Sequence, residues 1–425
     1  MASKSSASTK TSTDPAKIHE LLTRGVAEVY PSREALKEVL QSGKKLRVYN
    51  GIDPTAATLH IGHLASLQKL RQFQGLGHEI VMLIGDFTGM IGDPSGKSKS
   101  RVPLTREQVN ANAATYREQA SAVILFDGSN AATIRRNSEW WDEMPVKRFL
   151  EILSLTTAQR LLERDMFQER MKKGESVAAH ELLYPALQGY DSVVMKIDVE
   201  VGGTDQTFNM LMGRDYVGKM QQREKSVITV PLLADASGKK IGKSEGNMVE
   251  LGATPENLFG QAMALPDGVV VACFEQCTSV PMTRVEEVRA ALASGANPRD
   301  LKLELASEFV RMRYGDEKAN KARDAFAAKF QKGGGGEARV IRLNELGDLK
   351  KIRSFTAVEF LVHPKVGHAK SKGDARRLVE QGGVRIGDNL RALRDPNADI
   401  LTELRNGELL IEIGKKNDRF RLVRN

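Results

Sequence analysis

One stretch near the N-terminus, residues 45–84, restricts the fold more than any other part of the chain. Residues 46–49 predict a short strand, which Asn50 and Gly51 end. A helix follows, and its apolar residues are spaced in threes along one face: Leu64, Leu67, Leu70 and Phe73. Residues 80–84 form a continuous apolar run, which is typical of a strand buried on both faces of a parallel sheet. The pattern predicts an α/β domain with a Rossmann-like parallel sheet, whose ligands lie beyond the C-terminal ends of the strands.

The rest of the chain divides by composition, because 425 residues are too many for one ordinary core. The N-terminus is rich in Ser, Thr and Lys, which predicts a disordered tail. Four consecutive glycines mark a flexible linker before a small, basic module of mixed α/β character. The predicted boundaries are 1–17 for the tail, 18–250 for the α/β domain with a mostly helical, polar insertion at about 106–177, 251–331 for a helical domain, 332–354 for the linker and connection, and 355–425 for the module.

Composition also excludes several classes of protein. No run of eighteen apolar residues occurs, so a membrane span is not expected. The N-terminus has neither the apolar core of a secretory signal nor the arginines of a transit peptide. Cys273 and Cys277 are the only cysteines. They could be half of a metal site, but without a second pair nearby they are better explained as small buried hydrophobes, and no metal site is predicted. A reducing cytoplasm is the expected location.

The positive charge is concentrated at the C-terminal end. The chain carries +9 in all, whereas residues 351–425 hold sixteen Lys and Arg against ten Asp and Glu, or +6. Only +3 remains for the other 350 residues. This distribution favours a polyanionic partner for the terminal module.

The most distinctive local motif is the run His60-Ile61-Gly62-His63 at the start of the predicted helix. Helix N-termini present unpaired N–H groups and the positive end of the dipole to phosphate. Gly62 lets a nucleotide approach the backbone closely. On its own the motif leaves open a metal half-site or a surface pair without function.

A second basic motif lies in the Gly-rich stretch 237–246. Lys240, Lys243 and Ser244 stand there, and such lysines can neutralise the charge that builds up on a leaving pyrophosphate. Alone, the stretch would be read as a solvated basic loop. Residues 92–98 resemble a phosphate-binding P-loop, but the interval between the glycines is one residue short, and Pro103 indicates that the next helix begins later.

Together the runs 60–63 and 240–244 resemble the HIGH and KMSKS signatures of class I aminoacyl-tRNA synthetases, in the right order. The second run departs from its signature at Ile241 and Gly242, which replace Met and Ser. Four further stretches resemble tyrosyl-tRNA synthetases: 49–55, 91–94, 184–191 and 202–206. An isolated Asp or Tyr on a helix is usually a surface residue, but four coincidences in family order make that explanation improbable.

The resemblance implies roles for individual residues. The tyrosine-binding set would be Tyr49, Asp93, Tyr184, Gln188 and Asp191. In it, Tyr49 and Asp191 would bind the phenolic hydroxyl, and the other three the ammonium group. The ATP-binding set would be Gly51, Asp53, His60, Gly62, His63, Gly203, Asp205, Gln206 and Lys243. The catalytic set, which stabilises charge on the phosphates, would be Thr55, His60, His63, Lys97, Arg101, Lys240 and Lys243.

The reaction implied has two halves. The tyrosine carboxylate attacks the α-phosphorus of ATP and pyrophosphate leaves, and tyrosine then passes to the 3′ end of tRNA(Tyr). A carboxylate is already ionised at pH 7, so neither a general base nor a covalent nucleophile is needed. Catalysis would depend on positioning and on cations placed where charge develops. The resemblance also implies Mg²⁺ as the counter-ion of ATP and a homodimer joined through the insertion.

The C-terminal residues fit the second half-reaction. Ser371 and Asp374 form a capping-box pattern at the start of a helix, and residues 384–386 then resume as a strand. The segment resembles the RNA-binding module that bacterial tyrosyl-tRNA synthetases share with a small-subunit ribosomal protein. Its expected RNA-binding residues cluster at the helix start: Lys370, Lys372, Arg376 and Arg377. A basic domain without RNA-binding function is the alternative.

Three rival hypotheses remain for the whole chain. A tryptophanyl relative would share the α/β core, but Tyr49, Asp191 and the terminal module argue against it. A paralogue that only binds RNA is favoured by the departures in the Lys240–Ser244 run and disfavoured by the retained histidines and lysines. A small nucleotidyltransferase of the same superfamily would lack the chain after Glu250.

Overall fold

The computed structural model describes residues 11–95, 103–234, 248–331, 338–347, 354–369, 371–387, 390–404, 407–414 and 418–424. The chain forms two compact units, Met1–Arg323 and Asp324–Asn425.

A six-stranded sheet forms the centre of the first unit. Its strands are β1 (Glu28–Tyr30), β2 (Arg47–Ile52), β3 (Glu79–Ile84), β4 (Thr133–Arg136), β5 (Val199–Gly203) and β6 (Ser226–Val230). They lie in the order β1-β6-β5-β2-β3-β4. All neighbours are parallel except β1, which runs antiparallel to β6. The C-terminal ends of five strands therefore meet at one edge, and the predicted Rossmann-like sheet is confirmed.

Seventeen helices accompany this sheet in the part of the chain that the structure describes. They are α1 (Pro15–Thr23), α2 (Arg33–Gln41), α3 (Ile61–Gly75), α4 (Thr88–Ile91), α5 (Arg106–Ala113), α6 (Tyr116–Ala120), α7 (Ser138–Trp141), α8 (Val146–Leu153), α9 (Ala158–Leu162), α10 (Asp165–Lys172), α11 (Ala179–Val194), α12 (Thr207–Gln221), α13 (Pro255–Met263), α14 (Val270–Cys277), α15 (Met282–Ala293), α16 (Pro298–Tyr314) and α17 (Asp316–Gln331).

Helix α3 shows how the sequence pattern becomes packing. Its predicted apolar face is buried, with Leu67, Leu70 and Phe73 at 0% exposure. The next strand, β3, is buried along nearly its whole length, as its apolar run predicts. Burial of a leucine or phenylalanine contributes about 1.5–3 kcal/mol, so this face fixes α3 against the sheet.

Two predicted boundaries differ from the structure, and the predicted insertion contains one strand in addition to its helices. The tail expected over residues 1–17 is wrong for its last part, because Asp14 caps α1 and the Ser12 amide donates to Leu76 O at 2.8 Å. The insertion at about 106–177 is mostly helical but includes β4, which pairs with β3 in the central sheet. The division at residue 250 does not separate compact units, since the first unit continues to Arg323.

After the end of α17, the described residues of the second unit form a five-stranded sheet with three α-helices. The elements are β7 (Arg339–Arg342), α18 (Leu343–Leu346), α19 (Ala357–Val362), α20 (Lys372–Glu380), β8 (Val384–Ile386), β9 (Arg391–Leu393), β10 (Glu408–Ile413) and β11 (Asp418–Val423). The strand order is β7-β11-β10-β8-β9. Because β7 pairs with β11, the linker expected over 332–354 already contains a strand of this module. Ser371 caps α20 as predicted, with the Asp374 amide donating to its Oγ at 3.1 Å.

Both cysteines are free and fully buried in α14, which confirms their prediction as small hydrophobes. No group of three or more metal-ligating side chains occurs among the described residues. Within the same residues, no single helix has the length and apolar composition to cross a membrane. The bent pair Pro255–Met263 and Asp267–Cys277, at 104°, meets those two criteria only when its helices are taken together.

Candidate active site

A cavity of about 1070 Å³ opens where β2, β5 and the N-terminus of α3 meet. Its lining includes every tyrosine-binding and ATP-binding residue predicted within the described ranges, together with Thr55. Four predicted phosphate-binding residues lie outside the described residues: Lys97, Arg101, Lys240 and Lys243. The fold therefore brings together predicted site residues from five separate segments of the first unit.

Asp191 lies in the wall of this cavity and is only 2% exposed. The indole N–H groups of Trp140 and Trp141 donate to its Oδ1 at 2.8 and 2.9 Å, and the side-chain nitrogen Nδ2 of Asn137 donates to Oδ2 at 3.3 Å. Burial raises the pKa of Asp191 to about 7, while the three donors act in the opposite direction. The carboxylate is thus oriented, charged above neutral pH and able to accept a further hydrogen bond.

Tyr49, from the middle of β2, is completely buried and also lines the cavity. Its hydroxyl donates to Glu200 Oε1 at 2.6 Å and lies 3.2 Å from Ser192 Oγ. Burial, followed by the charges of Glu200 and Asp191, raises the pKa of Tyr49 well above its usual value. Tyr49 therefore keeps its proton and uses it toward Glu200.

Glu200 is a site residue that the sequence interpretation missed. It stands between two valines in β5, is 2% exposed and forms an ion pair with the fully buried Lys225. The Gln188 amide donates to the same Glu200 Oε1 that Tyr49 contacts, at 3.0 Å. A charged residue between two valines of an apolar strand is the sequence feature that could have identified Glu200 as a site residue.

Asp93 follows α4 at a second part of the cavity wall. Its Oδ2 accepts from Gln206 Nε2 at 2.7 Å, and its Oδ1 accepts from the Ser95 amide at 3.0 Å and from Asn209 Nδ2 at 3.4 Å. The buried guanidinium of Arg164 donates to Ser95 Oγ at 2.7 Å. Arg164 and Asn209 were not predicted, because neither stands in a recognisable motif.

Tyr184, on α11, connects this part of the cavity wall to Asp53, a residue of the predicted ATP-binding set. Its hydroxyl donates to Asp53 Oδ2 at 2.9 Å, and Thr88 Oγ1 donates to Asp53 Oδ1 at 2.7 Å. A Cβ at residue 85 would lie 2.1 Å from Asp53 Oδ1, so only Gly85 leaves room for this carboxylate. Asp53 therefore orients Tyr184 in addition to lining the predicted ATP region.

The two histidines cap α3 reciprocally. The Gly62 amide donates to His60 Nδ1, and the His60 amide donates to His63 Nδ1, each at 3.1 Å. Burial lowers the pKa of His63 well below its usual value, with the charge of His60 contributing. A neutral His63 whose Nδ1 accepts carries its proton on Nε2. His63 therefore offers a side-chain donor at the N-terminus of α3, where the first three backbone N–H groups already have acceptors: Ile61 donates to Val249 O, Gly62 to His60 Nδ1 and His63 to His60 O. The positive end of the helix dipole remains at this point of the cavity.

Comparisons with known proteins agree with this geometry. Residues 41–331 match the family described as tRNA synthetases class I (W and Y). The tyrosine--tRNA ligase of Aquifex aeolicus (strain VF5) is 42% identical over 398 residues, which cover 93% of this chain and 96% of the relative. The chain belongs to the tyrosine--tRNA ligases. A second ligase of this name, from Nitratidesulfovibrio vulgaris, is 39% identical over 399 residues, with the same coverage of 93% and 96%.

A solved structure supports the same assignment at the level of the fold. The C-terminally truncated mitochondrial tyrosyl-tRNA synthetase of Coccidioides posadasii superposes with a TM-score of 0.59 at 26% identity, covering 73% of this chain and 91% of that one. The ligase assignment removes the tryptophanyl alternative, because near full-length relatives carry the tyrosine name. It also removes the small nucleotidyltransferase, since the family match continues beyond Glu250.

Proposed function

We propose that this chain activates L-tyrosine with ATP, forming tyrosyl-adenylate and pyrophosphate, and then transfers tyrosine to the 3′ end of tRNA(Tyr). The observation that carries the proposal is a single cavity with a buried, indole-bound carboxylate at one part of its lining and the N-terminus of α3 at another. The first suits a phenol, and the second suits a phosphate chain.

At the phenol end, Asp191 accepts a hydrogen bond from the hydroxyl group of tyrosine, and Tyr49 lies beside it. The carboxylate is already held by three donors, so it loses little conformational freedom when tyrosine binds. A ligand without the hydroxyl leaves this buried acceptor short of a partner, which disfavours phenylalanine.

At the other end of the amino acid, Asp93, Tyr184 and Gln188 bind the ammonium group. Asp93 supplies the negative charge, and its contacts with Gln206 and Ser95 hold it in place. The hydroxyl of Tyr184 donates to Asp53, so its oxygen lone pairs remain to accept from the ammonium.

ATP would lie along the start of α3. Neutral His63 donates through Nε2, and Gly62 is exposed, so a nucleotide can approach the backbone there. The contacts proposed for the ATP ribose and its surroundings come from Gly51, Gly203, Asp205 and Gln206, and those for the phosphates from Thr55 and His60, with the four basic residues outside the described part of the chain.

The chemistry follows from these groups. A tyrosine carboxylate oxygen forms a bond to the α-phosphorus, and the bond from that phosphorus to the bridging oxygen breaks, so pyrophosphate leaves with the electron pair. In the second half a terminal ribose hydroxyl of tRNA attacks the carbonyl carbon and AMP leaves. The protein's part is to hold the carboxylate in line and to place donors where charge develops.

Magnesium enters this scheme with the substrate. ATP carries Mg²⁺ on its phosphates, and Mg²⁺ commonly takes few protein ligands in such sites.

The second unit is the proposed tRNA-binding module. Lys372 and Arg376 are exposed at the start of α20, and Arg377 is exposed but paired with Asp374. Lys370 lies outside the described residues. Exposed cations on one helix turn fit contact with phosphates, which supply much of the affinity for nucleic acid.

We also propose a homodimer formed through the region 106–177. Helix α8 exposes two large apolar side chains, Val146 at 74% and Leu150 at 59%. Exposed apolar pairs on one helix face are a common feature of interfaces. A cytoplasmic location, with both cysteines free, stays a prediction.

The test is amino-acid-dependent exchange of pyrophosphate into ATP with each of the twenty amino acids, followed by charging of tRNA(Tyr). Exchange with tyrosine alone, and tyrosylation of the tRNA, are the expected results. Exchange with tryptophan, or none with any amino acid, would contradict the proposal.

A further inference from the structure

Four donors converge on the two oxygens of Glu200. Tyr49 Oη and Gln188 Nε2 approach Oε1 at 2.6 and 3.0 Å. Ser192 Oγ lies 3.3 Å from Oε2, and the ammonium of Lys225 contacts the same oxygen. Glu200 therefore connects one residue proposed for the phenol end with one proposed for the ammonium end.

The surroundings of this carboxylate supply it with an ion-pair partner and hold it in place. Lys225 is fully buried and also donates to Met210 O at 3.1 Å. A Cβ at residue 213 would lie 2.5 Å from the Lys225 nitrogen, so Gly213 provides the space that the ammonium occupies. Burial lowers the pKa of Lys225, and the neighbouring charge of Glu200 opposes that effect. A lone buried carboxylate would be costly, whereas this one has an ammonium partner and three further donors.

An ionised carboxylate can only accept hydrogen bonds. Tyr49 has a single O–H proton and gives it to Glu200, which leaves only lone pairs on its oxygen for a ligand. Gln188 turns its amide nitrogen to Glu200, which leaves its amide oxygen as an acceptor. The carboxylate of Asp191 accepts as well. A phenol has one proton to donate, and Asp191 can accept it only if Tyr49 does not direct its own proton to the same carboxylate. By accepting the proton of Tyr49, Glu200 leaves Asp191 available to the phenol, and by accepting from Gln188 it leaves an amide oxygen available to the ammonium.

We propose that Glu200, held by Lys225, is a positioning residue that turns Tyr49 and Gln188 into acceptors and so selects a ligand that donates protons at both ends. The inference rests on the proposed tyrosine site. Glu200 acts through its two neighbours and needs no contact with the substrate.

The test replaces Glu200 by its uncharged isostere. In Glu200→Gln an amide N–H can donate to Tyr49, which is then free to direct its own proton into the cavity. Pyrophosphate exchange is measured with tyrosine and with 4-fluorophenylalanine, whose fluorine is close to a hydroxyl in size but carries no proton. The ratio of kcat/KM for tyrosine to kcat/KM for 4-fluorophenylalanine should be at least about tenfold lower in Glu200→Gln than in the wild type. This is the effect expected for a hydrogen bond to a charged group.

A second measurement tests the ammonium end of the proposed tyrosine site. Inhibition by 3-(4-hydroxyphenyl)propanoate, which lacks the ammonium group, should weaken less in Glu200→Gln than tyrosine binding does. A purely structural role would lower all of these values in parallel, and an unchanged tyrosine to fluorophenylalanine ratio would overturn the proposal.

Two further variants keep the result interpretable. Glu200→Gln/Lys225→Met removes both buried charges, so it serves if the single variant does not fold, and it should show the same loss of discrimination. Glu412→Gln is the matched control, because Glu412 is a buried carboxylate between Arg385 and Arg419 in the second unit, at 2.8 and 2.7 Å. It should leave the ratio unchanged.

Absence of tyrosine-dependent exchange in the unmodified protein would refute the proposed function, whereas exchange with unaltered discrimination in the double variant would refute only the role of Glu200.

Discussion

Binding of tyrosine should weaken as the pH falls from 8 to 6, because Asp191 becomes protonated in that range. Burial raises the pKa of Asp191 from 3.8 to about 7. The carboxylate is therefore about nine-tenths ionised at pH 8 and about one-tenth ionised at pH 6. Only the ionised form is free of its own proton and fully available to the phenol.

The size of the effect follows from the same value. If tyrosine binds the ionised form alone, its dissociation constant should rise about tenfold between pH 8 and pH 6, equivalent to about 1.4 kcal/mol. The phenol of tyrosine does not titrate in this window. The α-ammonium of tyrosine is the same ligand group for the wild type and for an Asp191→Asn variant, so a change confined to the wild type belongs to Asp191.

Equilibrium dialysis with radiolabelled L-tyrosine in the absence of ATP measures this constant directly and avoids the titration of the nucleotide. Asp191→Asn is the matched control, because it keeps the shape of the side chain and every other titrating group. Its affinity, although lower, should stay flat over the same range. A wild-type constant that does not change with pH, or one that changes equally in the variant, would refute the reasoning.

Four further outcomes are expected. Asp191→Ala should reduce the preference for tyrosine over phenylalanine in pyrophosphate exchange at least about tenfold, and an unchanged preference would reassign the phenol site. Lys240→Ala and Lys243→Ala should each slow single-turnover adenylate formation on the order of a hundredfold with little change in tyrosine affinity, and unchanged rates would remove that stretch from the mechanism. A chain that ends near residue 332 should keep exchange activity but lose at least about tenfold in tRNA charging at low tRNA concentration and physiological salt, as the intact enzyme should in part at raised salt. Val146→Glu should shift the mass measured by light scattering from dimer to monomer, whereas a persistent dimer would place the interface elsewhere.

The fold was predictable where the sequence pattern was strong. The apolar run of β3 and the spacing of threes in α3 gave the first α/β unit with the correct order of elements. Strand β4 was missed because it is short and lies at the edge of the sheet, where its four residues, Thr133–Arg136, are half-buried or exposed and form no apolar run. Strand β7 was missed for a similar reason, since three of its four residues are exposed.

The candidate site was predictable only in part, for a different reason. Residues in motifs, such as His60 and Asp191, could be identified from local sequence. The partners that orient them come from distant segments: Lys225 reaches Glu200 from the residue before β6, and Trp140 reaches Asp191 from another helix. Such pairings depend on tertiary packing, and a single sequence contains no local signal for them.

Trp140 and Trp141 give the protein an optical property that follows from its hydrogen bonding. They are the only two tryptophans in the chain, and both indole N–H groups donate to the same oxygen of Asp191. Indole emission responds to nearby charge, so the whole tryptophan fluorescence of the protein originates beside the carboxylate proposed to recognise tyrosine. Uptake of a proton by Asp191, or arrival of a phenol, can therefore be followed in the unlabelled, full-length chain, with no emission from any other tryptophan to subtract.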